Sequence, residues 1–334
     1  MLKRNQFLFA LLFFGVITLN SQHIVQQNPT KIVIAHRGAS GYLPEHTLEA
    51  KAMAYAMNAN FIEQDLVLSK DDIPIVIHDI YLDDVTDVAQ RFPEKAREDG
   101  RFYVIDFTYK ELLQLDVSER FNPETKKVVF PKRFPLGKSH FKLHSFQDEI
   151  EMIQGLNKSS TNNIGIYPEI KNPKFHQKNG KDISKIVVTV LSEYGYKTKA
   201  DNCILQCFDR SELKRIRTDL KSELFLTQLI EFPEENEKLQ EFATYADAIG
   251  PSLYLLIKGV DENGNLTYSD LVDKAHLLHL QVHAYTFRAD QLGKISSFER
   301  LLEIGFFELN LDGIFTDFPD KAVKFLKTNS GNFN

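Results

Sequence analysis

Carboxylates in two apolar segments are spaced as a metal site requires. Glu63 and Asp65 stand two residues apart in one segment, and Glu169 lies near the end of another, far along the chain. Residues i and i+2 of a strand share a face, so Glu63 and Asp65 point the same way. Close carboxylates repel each other unless a proton or a cation intervenes. Three carboxylates without clustered His or Cys favour a hard cation, Ca²⁺ or Mg²⁺; the alternative is a buried ion-pair network with Lys171 and Arg37.

Histidine and arginine side chains end two further apolar segments. His36-Arg37-Gly38 follows the first segment, and His78-Asp79 ends a short later one. Two imidazoles beside a phosphodiester form a suitable acid–base pair near neutral pH. Arg37 offers a permanent charge and a planar fork of donors that suits a phosphate group. These residue types favour catalysis on a phosphate ester.

Eight β-rich apolar segments are predicted to position these residues, and amphipathic segments of helical length separate most of them. The eight cover residues 31–36, 61–68, 164–170, 203–208, 224–229, 246–250, 281–287 and 313–316. Strands alternating with helices favour an α/β fold of parallel units, and eight units favour closure into a TIM-type (β/α)8 barrel. Most segments end in a polar residue, and the C-terminal strand ends of such a barrel form its active-site rim. No glycine-rich phosphate loop follows any segment, which argues against an open nucleotide-binding sheet.

One segment breaks the alternation of strands and helices. Residues 74–79 follow residues 61–68 after a gap that is too short for a crossover helix. We expect the two segments to form an antiparallel hairpin at the barrel rim. The returning arm would bring His78 back towards Glu63 and Asp65.

The alternation stops between residue 80 and about residue 144. This stretch is polar and rich in aromatic residues and proline, and we interpret it as an insertion after the His78 arm, folded back on the C-terminal face of the barrel. Its basic residues include Arg91, Arg97, Arg101, Lys132, Arg133, Lys138 and Lys142. We expect them to form a solvated surface, with steering of an anionic substrate as the alternative.

The N-terminus has the pattern of an export signal. Lys3 and Arg4 precede an apolar run at residues 7–19, which is too short for a bilayer span of roughly 20 residues. We assign residues 1–22 to a signal peptide and residues 30–328 to the folded domain. No cysteine comes directly after the apolar run, so we expect no lipid anchor there. The protein is predicted to be exported, to the periplasm in the first instance and with secretion as the alternative.

The charge of the chain argues against nucleic-acid binding, and its cysteine content argues against a disulfide. The formal net charge is −6 with scattered Lys and Arg, so the chain lacks the basic footprint of a nucleic-acid-binding protein. Cys203 and Cys207 are its two cysteines. Four residues along a strand separate their Cα atoms by about 13 Å, which is beyond disulfide reach. We therefore expect two free, buried thiols.

Several short motifs, in this order, resemble those of the glycerophosphodiester phosphodiesterases, most closely their longer, exported, calcium-dependent bacterial class. The motifs are His36-Arg37-Gly38, Pro44-Glu45-His46-Thr47-Leu48, Glu63-x-Asp65, His78-Asp79, Pro168-Glu169-x-Lys171 and Phe315-Thr316-Asp317-Phe318-Pro319. Two further stretches, residues 81–88 and 205–209, also fit the longer class. The resemblance extends from about residue 31 to residue 327. It implies a TIM barrel that hydrolyses small glycerophosphodiesters to sn-glycerol 3-phosphate and an alcohol.

The resemblance also implies a role for each motif residue. The implied acid–base pair is His36 and His78, with Arg37 and Lys171 on the phosphate. The implied ligands of Ca²⁺, with Mg²⁺ as the alternative, are Glu63, Asp65 and Glu169. The implied glycerol-side residues are Phe208, Tyr285 and Phe287. We expect breadth for the alcohol and a role in scavenging glycerol and phospholipid head groups; a homodimer through the insertion or the outer helices is compatible with the sequence.

Three rival functions are less compatible with the sequence. A related barrel phospholipase acting on intact lipids would be expected to have apolar or aromatic rim loops. This chain has no Trp, and its insertion is charged. A metal-dependent amidohydrolase would need two histidines spaced by one residue at the first strand end, which Ala35-His36-Arg37 lacks. A non-catalytic exported binding protein would not need every chemical group to be retained. The sequence leaves open whether water or a glycerol hydroxyl attacks, and which histidine is the base.

Overall fold

Eleven strands run through the part of the chain that the computed structural model describes, residues 31–262 and 265–329. The predicted signal peptide lies outside these residues. The strands are β1 (Ile32–Ala35), β2 (Phe61–Leu68), β3 (Pro74–Val76), β4 (Gly165–Ile170), β5 (Ile204–Cys207), β6 (Phe225–Ile230), β7 (Ala248–Pro251), β8 (Ile257–Val260), β9 (Leu266–Tyr268), β10 (Gln281–Phe287) and β11 (Gly313–Thr316).

Eight of these strands, all parallel, close into a barrel within the described residues. The hydrogen-bonded order is β1-β11-β10-β7-β6-β5-β4-β2, and pairing of β1 with β2 completes the ring. The remaining barrel neighbour, β3, runs antiparallel to β2, as predicted for the hairpin. The predicted TIM-type barrel is therefore confirmed. Ile34, Tyr167, Ile204 and Phe315 pack against one another from four of the strands and fill the barrel below its rim.

Twelve α-helices lie between or beside the strands in the described chain. They are α1 (Leu48–Ala56), α2 (Val88–Arg91), α3 (Tyr109–Leu112), α4 (Phe146–Ser160), α5 (Pro173–Lys178), α6 (Ile183–Glu193), α7 (Arg210–Thr218), α8 (Leu239–Phe242), α9 (Leu253–Leu256), α10 (Leu271–Leu277), α11 (Phe298–Glu303) and α12 (Pro319–Thr328). Side chains at the N-termini stabilise several of them: Thr47 caps α1, and Ser145 forms a capping box with Asp148 at α4. None of the helices in these residues has the length and apolar composition that crossing a bilayer requires.

The insertion (residues 80–144) has a hydrophobic cluster of its own. Val67 and Ile75 of the β2–β3 hairpin pack with insertion residues such as Val104, Phe107 and Leu112. The insertion therefore rests on the hairpin that carries His78. Lys132, Lys138 and Lys142 are exposed, as expected for a solvated surface.

Arg133 of the insertion does not belong to that solvated surface. Its side chain is only 3% exposed and pairs with Asp290 and Asp317. The expectation of a solvated side chain is therefore wrong at this position, because two carboxylates at the barrel rim satisfy the guanidinium. The predicted free thiols are confirmed, since both cysteines are buried and unbridged.

A fully buried ion pair lies behind the outer face of β2. The side chains of Lys51 and Glu149 are both 0% exposed, and their charged atoms lie 3.3 Å apart. Lys51 also donates to the backbone carbonyl of Glu63, and His144 lies 2.8 Å from the other oxygen of Glu149. Burial opposes ionisation of Glu149, but Lys51 and His144 lower its pKa to about 2.

We expect Glu149→Gln to lower the free energy of unfolding by about 3–5 kcal/mol, because it leaves the ammonium of Lys51 buried without a counter-charge. Urea unfolding followed by circular dichroism measures the loss. The matched control is Glu151→Gln on the exposed face of the same helix, which should change stability by no more than about 0.5 kcal/mol. Equal unfolding midpoints for the two variants would contradict the expectation.

Candidate active site

Three carboxylates converge at the C-terminal end of the barrel. Glu63 and Asp65 come from β2, and Glu169 comes from the neighbouring β4, where it pairs in register with Asp65. One oxygen from each lies within 4.8 Å of the others, and all three residues are buried. Glu63 and Asp65 both point into the barrel because side chains alternate along a strand, as the sequence predicts. Gln64 between them points outward and donates to Glu149.

The electrostatics of this triad favour a bound cation. Burial and the neighbouring Asp65 raise the pKa of Glu63 well above its usual range. Burial, opposed by Lys171, raises the pKa of Glu169 to about 8. One oxygen of Asp65, Oδ1, is buried without a hydrogen-bond partner among the described residues. A hard divalent cation would supply the missing positive charge and would accept that oxygen as a ligand.

The alternative ion-pair network is present only in part. Lys171 lies 2.8 Å from Glu169, but the Nε atom of Arg37 is 3.9 Å from Asp65. The guanidinium of Arg37 instead binds both oxygens of Glu45, at 2.9 and 3.0 Å. Because Glu45 neutralises Arg37, Lys171 alone cannot balance three carboxylates.

Each predicted histidine is held at Nδ1 by an aspartate. His36 Nδ1 lies 2.6 Å from Asp317, and His78 Nδ1 lies 2.9 Å from Asp79. An ionised carboxylate only accepts, so Nδ1 carries the proton and Nε2 is the basic nitrogen. Nε2 of His36 lies 3.9 Å from Glu63, and both imidazoles line the same cavity as the triad.

Burial controls the charge of both imidazoles. It lowers the pKa of His36 to about 4, against the opposing effect of Asp317. It also lowers the pKa of His78 to about 4, with Arg37 adding to the effect. Both rings are therefore neutral near pH 7 in the substrate-free site. An anionic phosphodiester placed between them would favour the protonated form.

The loop after β1 presents Arg37 through an unusual backbone. Arg37 has a φ of 57°, in the left-handed region, and Gly38 follows with a φ of 88°. A Cβ on Gly38 would lie 2.9 Å from the carbonyl of Ala50, so only glycine allows this approach to α1. The backbone N–H of Arg37 donates to Glu63 at 2.7 Å, and its Nε is buried without a partner among the described residues. Arg37 lines the cavity that a phosphate group would occupy.

The cavity has a volume of about 970 Å³ and joins the polar groups to an apolar side. Lys171, Phe208 and Tyr285 line it, and the two aromatic rings meet edge to face with centroids 5.9 Å apart. Phe287 does not line it, so the expectation that this residue contacts glycerol is corrected. Phe287 is 0% exposed in the hydrophobic core. The register of β10 against β11 shifts between Ala284 and Phe287, which breaks the alternation that would have placed Phe287 beside Tyr285.

Several residues contribute to the site although sequence reasoning gave them no role. His46 Nε2 lies 2.7 Å from Asp65, Gln206 donates to Glu63 at 3.3 Å, and Arg120 of the insertion binds both Glu45 and Asp79. Asp317 directly follows β11. A role for it could have been predicted, because polar residues at the ends of other barrel strands also reach the site. No periodicity in the sequence distinguishes Arg120 from the other basic residues of the insertion.

A parallel barrel whose rim combines an acidic triad, two aspartate-bound histidines and an arginine is suited to metal-assisted hydrolysis of a phosphate ester. Residues 36–321 match the sequence pattern of the Glycerophosphoryl diester phosphodiesterase family. The chain belongs to this family.

Named relatives agree with this assignment, and solved structures agree with the fold. The chain is 44% identical to a glycerophosphodiester phosphodiesterase of Haemophilus influenzae, over 98% of this chain and 99% of that protein. It is 36% identical to a glycerophosphodiester phosphodiesterase of Treponema pallidum, over 89% and 92% of the two chains. Among solved structures, a putative glycerophosphoryl diester phosphodiesterase from Silicibacter pomeroyi shares the fold with a TM-score of 0.69 at 22% identity, over 90% and 95% of the chains. A phosphodiesterase of Oleispira antarctica in complex with the product sn-glycerol-3-phosphate has a TM-score of 0.62 at 20% identity, over 89% and 97%.

Proposed function

We propose that this protein hydrolyses glycerophosphodiesters to sn-glycerol 3-phosphate and an alcohol. The observation that carries the proposal is the convergence of the acidic triad, two histidines with free Nε2 atoms and Arg37 on one cavity. Family membership and relatives named as glycerophosphodiester phosphodiesterases support the same reaction. The enzyme is accordingly a phosphoric diester hydrolase.

The cation is proposed to be Ca²⁺, with Mg²⁺ as the alternative, held by Glu63, Asp65 and Glu169. When bound, it supplies Lewis-acid polarisation of a phosphate oxygen. Arg37 and Lys171 are positive groups on the cavity wall, and they would stabilise the charge that grows on phosphate in the transition state. The carboxylates hold their positions because neighbouring strands fix them, which limits the reorganisation that the reaction requires.

The two imidazoles would move the protons. One Nε2 accepts the proton of the attacking oxygen, and the other histidine protonates the leaving alcohol. If the attacking oxygen belongs to water, the products form in one step. If it belongs to the adjacent glycerol hydroxyl, a cyclic phosphate forms first, and water then opens it to glycerol 3-phosphate with the roles of the two histidines reversed. The negative charge of the substrate raises the fraction of protonated imidazole, which the empty cavity disfavours. Asp317 and Asp79 fix the proton on Nδ1 of each ring and stabilise the imidazolium that forms.

The size of the cavity supports breadth for the alcohol. Its volume of about 970 Å³ is at the upper end of pockets that hold drug-sized ligands, which leaves room beside a glycerol phosphate group. Phe208 and Tyr285 are proposed to form the glycerol side. Selectivity would then come from the contacts with glycerol and phosphate, while the rest of the cavity accepts different leaving groups.

We further propose that the protein is exported, with residues 1–22 as its signal peptide, and works in the periplasm or outside the cell. There it would release glycerol 3-phosphate and head-group alcohols for uptake. The run at residues 7–19 behind Lys3 and Arg4 supports this location.

The deciding experiment measures release of glycerol 3-phosphate from glycerophosphocholine by the mature protein. We expect EDTA to stop turnover and either Ca²⁺ or Mg²⁺ to restore it, because the buried triad needs a cation. Folding is checked in parallel by circular dichroism. Absence of turnover by folded protein with every divalent cation would contradict the proposal.

A second set of substrates tests the proposed selectivity. Glycerophosphoethanolamine should be cleaved at a rate similar to that of glycerophosphocholine, and a diester without glycerol should be cleaved much more slowly. Comparable rates for the diester without glycerol would remove the glycerol-side assignment of Phe208 and Tyr285.

A phospholipase acting on intact lipids is the second candidate, and one observation favours it. Phe232 and Tyr254 line the cavity and are 55% and 93% exposed, so the rim carries aromatic side chains outside the charged insertion. Phosphatidylcholine vesicles therefore form an additional arm of the experiment. Faster cleavage of vesicles than of glycerophosphocholine would favour this candidate.

A further inference from the structure

Two arginines of the insertion bind the two aspartates that hold the histidines. Arg120 Nη1 donates to Asp79 at 2.7 Å, and Arg133 Nη2 donates to Asp317 at 2.6 Å. In each case the aspartate uses its other oxygen for the histidine Nδ1. The same arrangement of arginine, aspartate and histidine therefore occurs twice, on two sides of one cavity.

We infer that Arg120 and Arg133 are positioning residues for the acid–base pair, supplied by the insertion to a barrel that carries the histidines. The inference rests on the proposed function, since it concerns the orientation of His36 and His78 in that reaction. It also gives the insertion a task, because the barrel strands provide neither guanidinium.

Arg120 couples His78 to the phosphate-binding arginine. Its Nε and Nη2 donate to the two oxygens of Glu45 at 3.2 and 2.6 Å. Glu45 in turn accepts both contacts from Arg37. A continuous chain of ion pairs thus runs from Arg37 through Glu45 and Arg120 to Asp79, which accepts a hydrogen bond from His78. Loss of Arg120 would free the aspartate and would also leave Glu45 bound on one side only.

Arg133 has more contacts than Arg120, and one of them is with the loop after β1 that begins at His36. Its Nε and Nη2 donate to Asp290 at 2.8 and 3.1 Å, and its Nη1 donates to the carbonyl of Ser40 at 3.2 Å. The guanidinium also lies over the ring of Phe130, 3.7 Å from its centroid. Arg288 of the barrel rim donates to the same oxygen of Asp317 at 2.8 Å. Because Arg288 remains when Arg133 is removed, the aspartate keeps one partner and its loss of position is partial.

These contacts matter because acid–base catalysis depends on where the imidazole nitrogens point. A misplacement of about 1 Å can cost about 100-fold in rate. When an arginine binds one oxygen of the aspartate, the second carboxylate oxygen is held in a single orientation. The histidine that donates to this second oxygen is then held in one tautomer and one position. Neither Arg120 nor Arg133 lines the cavity, so each would act through its aspartate and not on the reacting atoms.

The test replaces each arginine by methionine, which keeps the length of the apolar stem. We expect kcat for glycerophosphocholine to fall by about 10- to 100-fold in Arg120→Met and by less in Arg133→Met, where Arg288 remains. Added guanidinium ion should restore part of kcat in both variants. Arg120→Lys and Arg133→Lys are prepared as well, because they keep the charge without the fork if a methionine variant fails to fold.

Arg97→Met is the matched control. Arg97 is also an insertion arginine, with two hydrogen bonds to Asp106 at 2.7 and 2.8 Å and a ring contact with Tyr103 at 3.9 Å. It contacts neither aspartate of the histidine pair. Its kcat should equal that of the wild type, whereas a purely structural role of the insertion would lower kcat in all three methionine variants.

Two further measurements show whether each arginine acts through its aspartate. In an Asp79→Asn background, Arg120→Met should cause a smaller loss of kcat than in the wild-type background, because only the contact with Glu45 is then left to lose. Nitrogen-15 NMR of labelled histidine should show loss of the uniform Nδ1–H tautomer at His78 in Arg120→Met and at His36 in Arg133→Met. Unchanged kcat and tautomers in the folded variants would overturn the inference, as would full independent losses in the double variant. Wild-type protein without turnover but with tautomers that respond to the substitutions would instead contradict the proposed function alone.

Discussion

Replacing either His36 or His78 by alanine is expected to abolish measurable turnover of glycerophosphocholine while the barrel stays folded. Each proton transfer by a positioned side chain contributes about 10²- to 10⁴-fold, and the proposed reaction requires two transfers. Both side chains face the cavity and not the apolar core, so their removal leaves the packing between strands and helices in place. Steady-state kinetics measure the loss, and thermal unfolding checks the fold.

The exposed His140 provides the control for these variants. Its side chain is 84% exposed in the insertion, and His140→Ala should keep the wild-type kcat. A substrate with a p-nitrophenol leaving group separates the two roles, since such an alcohol departs without a proton. The variant that regains activity on this substrate lacks the general acid. Near-wild-type activity of either alanine variant on glycerophosphocholine would remove that histidine from the mechanism.

Glu169→Gln is expected to remove the stabilisation that the proposed cation, tested as Ca²⁺ and as Mg²⁺, gives to the folded protein. A ligand that binds only the folded state at 100 times its dissociation constant adds about 2.7 kcal/mol to the free energy of unfolding. The variant keeps the shape of the side chain but loses one of three carboxylates, so the cation should bind much more weakly. The metal-free variant should be about as stable as the metal-free wild type, because a buried carboxyl whose pKa is raised to about 8 is mostly protonated near pH 7. Thermal unfolding with EDTA and with Ca²⁺ measures both values.

The matched control for the metal site is Glu119→Gln. Glu119 is a buried carboxyl of the insertion, and burial also raises its pKa to about 8. It does not belong to the triad, so its substitution should leave the effect of Ca²⁺ unchanged. Equal stabilisation by Ca²⁺ in Glu169→Gln and in the wild type would show that Glu169 is not a ligand.

The barrel and most of its site could be predicted because they depend on local periodicity. Glu63 and Asp65 share a face in any strand, and the position of Glu169 at the end of a parallel strand brings it to the same rim. The hairpin arm could be predicted equally well, because the gap before residue 74 is too short for a crossover helix. His78 is therefore found where the sequence placed it.

Phe287 shows where this reasoning fails. An irregularity in β10 after Ala284 turns the side chain of Phe287 into the core. The residue types of Tyr285-Thr286-Phe287 do not predict such a shift. Arg133 fails for a different reason. Its partners Asp290 and Asp317 are far along the chain, so the burial of its charge depends on tertiary contacts that have no local pattern.

The pairing of β1 with β11 has a consequence for the order in which the protein is made. His36 leaves the ribosome near the start of synthesis, and Asp317, the residue that orients it, follows 281 positions later. The ring closes only when the last strand is inserted between the first strand and β10. The proposed acid–base pair therefore requires the last strand, and a nascent or C-terminally clipped chain would carry the proposed metal ligands without an oriented His36. Catalytic competence in this architecture thus reports that translation has reached the last strand.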